Sequence, residues 1–222
     1  MLRTSPGYAA MAIATIAISI GANTAMFSFL NGVLLKPLPY PDPERVMQVL
    51  EKRPDGGTNG ISTLNYLDWA EQQTVFEYFA AQTGWGATYS GGDEPVRLAG
   101  GRVTVQYFDI TGAQVVLGRR FLPGEDKVGN DHVVLLSNML WQTRFGGDPA
   151  IVGRSITLDG EPYTVVGVLA GGGTFDRAAR QIWKPLAFRP ENMTRDFHWF
   201  GALGKLKAGV TPEQARAAMD VI

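Results

Sequence analysis

The sequence predicts an α+β protein in which one N-terminal transmembrane helix precedes a mixed extramembrane domain, and two observations carry that prediction. Between Arg3 and Lys36 no residue is charged, and Thr4 to Leu35 is dense in Ala, Ile, Leu, Met and Phe from Tyr8 onward. After Leu35, helix signals and short apolar runs alternate between turns. Glycine is abundant there, 27 of 222 residues in the whole chain against a usual share of roughly 7%.

A bilayer core takes about 20 apolar residues as a helix, so residues 1–35 are long enough to cross it. A secretory signal is the rival reading. Its apolar core spans about 7 to 15 residues and ends at a small-residue cleavage site. Here the A-x-A patterns, Ala10 to Ala12 and Ala12 to Ala14, fall early, and Met26, Phe27, Phe29 and Leu30 extend the run past them. A retained helix is the better fit. At about 1.5 Å per residue it would reach about 48 Å, so tilt or an emerging stalk is expected.

Ala10, Ala14, Ala17, Gly21, Thr24, Ser28 and Asn31 lie on one helical stripe. Small residues let helices approach closely in lipid, so the stripe is a candidate packing face. Chance alignment is the alternative, because Ala9, Ala12, Ala22 and Ala25 are small and lie off it. Asn23, Thr24, Ser28 and Asn31 favour a protein-facing side, since amides facing lipid are costly. Residues 36–45 form an exit strap in which Pro37, Pro39, Pro41 and Pro43 block helix and favour extended chain. Arg3 and the amino terminus, set against Lys36 and Arg45, give a weak vote for a cytoplasmic amino terminus.

With 20 basic and 21 acidic residues the net charge is −1, so no nucleic-acid footprint is present. There is no cysteine and hence no disulfide framework.

Along the domain, Val46 to Leu50 reads as a strand. Ser62 or Thr63 can cap a helix from about Leu64 to Ala81. Ala87 to Ser90, Val96 to Ala99 and Arg102 to Val105 read as strands divided by Gly91-Gly92 and Gly100-Gly101, with a short helix at Gln106 to Ile110 after them. From Pro123 a polar loop leads to the strand His132 to Leu136, then a helix, Asn138 to Phe145, ended by Gly146-Gly147. Ile156 to Val168 is a hairpin turning at Asp159-Gly160. Ile182 to Leu186 and Phe200 to Leu206 are strands. Thr211 and Pro212 open a last helix, expected to run to Ile222.

No catalytic, cofactor-binding or metal-ligating set emerges. His132 and His198 are the only histidines, and a zinc site needs three or four ligands at set spacing. Gly171 to Thr174 and Gly201 to Lys205 lack the lysine placement and following helix of a phosphate loop. Asp68-Trp69 and Glu125-Asp126 read more simply as a helix face and a solvated loop. The chain is expected not to be an enzyme and to need no cofactor.

Ile20-Gly-Ala-Asn-Thr-Ala-Met-Phe-Ser28 and Val33-Leu-Leu-Lys-Pro-Leu-Pro-Tyr40 resemble the first membrane helix and exit of MacB/FtsX-like ABC transporter permeases, in particular the duplicated orphan permeases of acidobacteria. Tyr66-Leu-Asp-Trp69, Gly118-Arg-Arg-Phe121, Ile151-Val-Gly-Arg154, Leu158-Asp-Gly160 and Ile182-Trp-Lys-Pro-Leu186 continue the series in order. The resemblance implies a MacB-like periplasmic core domain: a porter-like α+β part, residues 46–122 plus 185–222, interrupted by a β-rich lobe, 123–184. It implies a permease subunit of the bacterial inner membrane, amino terminus cytoplasmic and main domain periplasmic, that transmits conformational change for efflux or export. Its implied partners are membrane lipid, further permease helices, a second permease copy and a cytoplasmic ABC ATPase, although orphan-type members commonly lack a neighbouring one. The family's ATPase and later membrane helices do not appear in the sequence, which therefore reads as the amino-terminal part of a permease. A membrane-tethered periplasmic binding or adaptor domain without transport activity is the alternative.

Overall fold

A computed structural model describes residues 6–30, 40–92, 94–171 and 180–222. It divides into two units, residues 1–38 and 39–222. In the first, α1 (Pro6–Leu30) is a continuous helix, and large apolar side chains along it, among them Met11, Ile13, Ile16, Ile18, Ile20 and Phe27, are exposed. The α+β class and the helical N-terminal run stand. Among the described residues, no helix is long and apolar enough to cross a membrane. Residues 31–39, which carry Asn31 and the first half of the strap, lie outside the described residues.

The second unit is organised by a ten-stranded sheet. From one edge its order is β1 (Val46–Val49), β12 (His198–Leu206), β5 (Phe76–Tyr89), β6 (Val96–Val103), β11 (Ile182–Pro185), β8 (Val133–Leu136), β10 (Glu161–Leu169) and β7 (Val115–Gly118). β4 (Ile61–Ser62) joins β12, and β9 (Ser155–Leu158) joins β10. Pairing is antiparallel except between β6 and β11 and between β8 and β10. β2 (Glu51–Lys52) and β3 (Thr58–Asn59) form a separate small hairpin. The strands of 123–184 gather toward the β7 end and those of 46–103 and 198–206 toward the β1 end, while β7 crosses to pair with β10.

Among the described residues, four short helices cover the sheet. α2 (Thr63–Gln72) and α5 (Pro212–Met219) pack Tyr66 and Ala215 into a cluster with Phe79, Ala81, Phe200 and Leu206. α4 (Asn138–Phe145) adds Leu140 to a cluster with Ala87, Leu98, Val165 and Ile182. Side chains alternate along a strand, so Phe79, Ala81 and Ala87 of β5 share one face. The opposite face, with Ala80, is covered by α3 (Tyr107–Thr111), whose Phe108 and Ile110 meet Val103, Leu135 and Trp183.

Local chemistry explains the ends. The Ser137 hydroxyl accepts from the Leu140 amide at 3.1 Å, and Gly146 ends α4 at φ 63°. α5 starts with a reciprocal capping box between Thr211 and Gln214. Asp159 and Gly160 both take positive φ, 50° and 85°, the geometry of a tight hairpin turn.

Several expectations need correction. The helix read to Ala81 stops at Gln72, and the chain turns into β5 as the Gln73 side-chain oxygen accepts from the Phe76 amide at 2.8 Å. β5 is central and buried on both faces, so its apolar residues lose the alternation that marks a strand. Ser62 stands at the N-cap of α2, yet its hydroxyl donates to Glu51 at 3.3 Å instead of capping. Gly100-Gly101 does not divide strands: a Cβ at Gly100 would lie 2.8 Å from Ile182, so glycine lets β6 and β11 close up. The last helix ends at Met219, where Asp220 serves as its C-cap. β7 went unread.

Candidate functional site

Between the apolar patches under α2 with α5 and under α4, the same sheet face carries Thr83, Trp85, Arg102 and Lys184. Trp85 is the β5 partner of Gly100, and Thr83 that of Arg102. Arg102 is in turn the β6 partner of Lys184 on β11. Cations thus stand side by side on adjacent strands.

Around them the fold assembles a charged network from five segments. Asp131, just before β8, is 2% exposed. Its Oδ2 lies 3.0 Å from Arg189 Nη2 and 3.7 Å from Lys184 Nζ. Lys184 Nζ donates to the Tyr163 hydroxyl at 2.8 Å and sits over the rings of Tyr163 and Trp85 at 4.9 and 5.3 Å. The Tyr163 hydroxyl donates to Glu161 at 3.3 Å. His132 stacks on Tyr163, with Nε2 3.4 Å from Glu161 and Nδ1 3.8 Å from Asp131. Arg102 lies over the Trp199 ring at 5.1 Å.

Burial pushes the Tyr163 hydroxyl up to about 12, with the charges of Glu161 and Asp131 adding to it, so the phenol keeps its proton. Burial pushes Lys184 below the usual lysine range; Asp131 opposes this and Arg102 and Arg189 reinforce it. Arg102 is lowered by burial and then by Arg189. This set can hold an anion or clamp segments together.

The sequence-predicted residues fall elsewhere. Ala14, Ala17, Gly21, Thr24 and Ser28 are exposed on α1; Asn31 lies outside the described residues. Asp68 pairs with Arg195 at 2.7 Å, and Glu125 with Arg119 at 2.7 Å. Lys205 lies within β12 and reaches Asp42 at 3.1 Å. His198 Nε2 meets Glu51 at 2.6 Å beside the start of α2. Among the described residues no group of three His, Cys, Asp or Glu side chains could hold a metal. Tertiary pairing alone brings the charged network together, since Arg102, Asp131, Tyr163 and Lys184 share no spacing. Lys184 inside the apolar strand Ile182-Trp-Lys-Pro-Leu186 was the one visible signal.

A cavity of about 560 Å³ lies beside α2, lined in part by Tyr66, Phe79, Gln106, Asp126, Phe188 and Met193. Several of its polar atoms are engaged: Gln106 accepts from the Phe79 amide, Asp126 from that of Val105, and Glu77 pairs with Arg45. The charged network is the stronger candidate.

The family model for the MacB-like periplasmic core domain matches residues 9–222. The periplasmic region of MacB from Actinobacillus actinomycetemcomitans superposes with a TM-score of 0.60 at 16% identity, covering 79% of this chain and 80% of that one. A domain of a permease protein from Porphyromonas gingivalis gives 0.62 at 17%, covering 81% and 80%. The extracellular domain of the noncanonic ABC-type transporter YknZ from Gram-positive bacteria gives 0.57 at 13%, covering 78% and 88%. At such identities these structures share the fold. No curated protein matches the chain.

Proposed function

This chain belongs to the MacB-like periplasmic core domain family of ABC transporter permeases, and we propose on that footing that it works as a membrane-tethered, periplasmic part of an export permease. The carrying observation is the family match, which begins inside the uncharged N-terminal run and continues to Ile222. The exposed apolar side chains of α1 favour insertion in lipid, and the weak charge asymmetry of Arg3 and the amino terminus against Lys36 and Arg45 favours a cytoplasmic amino terminus. In this reading the domain moves and performs no chemistry. An ATPase on the cytoplasmic side supplies the energy, a second permease copy completes the assembly, and 123–184 acts as a lobe on the porter-like remainder.

The absence of cysteine provides a direct test. Met139 is 57% exposed, so Met139→Cys in the full chain offers a single thiol. A membrane-impermeant maleimide should label it in intact bacterial spheroplasts to the same extent as after lysis. Labelling only after lysis rejects the periplasmic placement.

The stripe on α1 gives a second expectation. A Cβ at Gly21 meets nothing within 4 Å, so Gly21→Leu leaves the helix itself intact. If the stripe packs against a second copy, Gly21→Leu lowers crosslinking of the full chain in membranes by about fivefold or more, and Ile20→Leu, off the stripe, leaves it unchanged. Equal crosslinking of the two variants assigns the stripe to chance.

A further inference from the structure

We propose that the stretch of sheet face around Arg102 and Lys184 binds an oxyanion, the carboxylate or phosphate head of a ligand whose apolar body lies along Trp199 and Phe197. The site is independent of the transport reading and stands or falls separately.

Arg102 and Lys184 are register partners on adjacent strands, about 4.8 Å apart in the pairing direction. Like charges directly opposite one another on one face are destabilising, and a central sheet face is an expensive place to put them. Lys184 has compensation from Asp131 and Tyr163. Arg102 has no carboxylate partner among the described residues: its Nε is buried without a hydrogen-bond partner, and its guanidinium meets the Trp199 ring. Of the network's carboxylates, Asp131 Oδ2 serves Arg189 and Lys184, its Oδ1 is buried 3.8 Å from His132 Nδ1 with no hydrogen-bond partner among the described residues, and Glu161 serves Tyr163 and His132. Lys184 and Arg189 thus share Asp131, and among the described residues the cation with no carboxylate is the one facing the aromatic wall.

A guanidinium offers five donors in a planar fork that matches a carboxylate or phosphate two-pronged. An anion placed between Arg102 and Lys184 would satisfy the orphaned donor and relieve the cation pair in one step. The Lys184 side chain is 11% exposed, and Arg189, which shares Asp131 with it, is 39% exposed. Beside Trp199, Phe197 stacks at 6.4 Å between centroids and is itself 55% exposed. An exposed aromatic pair next to an unpaired guanidinium suits a ligand with an anionic head and an apolar body.

The test uses the full chain in detergent, titrated separately with inorganic phosphate and with acetate at constant ionic strength in chloride. Tryptophan fluorescence and thermal midpoint are read together. The expected result is saturable stabilisation by at least one anion; saturation by phosphate alone or acetate alone assigns the head group. Arg102→Gln should weaken that binding by about tenfold or more. Arg97→Gln makes the same charge change on the same strand, at a residue that is 69% exposed and ion-paired to Asp159, and should leave binding unchanged. A linear, unsaturable response to both anions overturns the proposal, as does equal weakening in the two variants.

Discussion

Replacing Asp131 by alanine lowers the unfolding free energy by about 3–5 kcal/mol, the cost of removing one partner from a buried charge network. The Asp131 side chain is 2% exposed and its carboxylate compensates Lys184, itself only 11% exposed, as well as Arg189. Without it the buried Lys184 loses the carboxylate that opposes its desolvation, so its charged form is disfavoured further beside Arg102. Asp131→Asn preserves shape and an acceptor but not the charge, and its loss is smaller. Arg189→Gln, at a side chain 39% exposed, costs less than either. Urea unfolding of the three variants should show lower midpoints at unchanged slope, since the surface exposed on unfolding stays the same. A loss below about 0.5 kcal/mol for Asp131→Ala, the range of ordinary surface changes, would falsify the network as a fixed clamp.

Trp183→Ala is the second large effect, also about 3–5 kcal/mol from lost transfer energy and the cavity left behind. Trp183 is 0% exposed within the cluster that holds Val103, Phe108, Leu135 and Leu169, opposite the face that carries Lys184. α3 has no other large ring of β11 to pack against, so the helix should loosen with the substitution. Trp183→Phe keeps most of the volume and costs less. Amide exchange should speed up over residues 103–111 in the alanine variant. Unchanged exchange there, with stability within about 1 kcal/mol of the parent, would rule out Trp183 as the anchor of that face.

How much of this was legible depended on where the information sits in the chain. Asn138 to Phe145 was readable to the residue because Ser137 caps it locally and Gly146 ends it locally. The hairpin at Asp159-Gly160 was readable for the same reason: both residues adopt positive φ that this dipeptide favours. The first part of β5, Phe76 to Ala81, reads as helix because a strand buried on both faces shows no alternation, and Phe76 and Phe79 fall at helical spacing, whereas its end from Ala87 reads as strand. β7 was missed because four residues with alternating burial, Val115 to Gly118, carry too short a pattern to stand out.

The charged network lay further still from view. Lys184 inside an apolar run hinted at it, but its partners come from positions 102, 131, 161, 163 and 189, set beside it by a parallel β6–β11 pairing that no local signal encodes. The sequence by itself determined the uncharged N-terminal run, the family and the locally capped elements, because those properties reside in neighbouring residues and their order. Only the tertiary structure decided which charges meet. Strand order is chosen by burial of two sheet faces at once, and that choice places Arg102 next to Lys184.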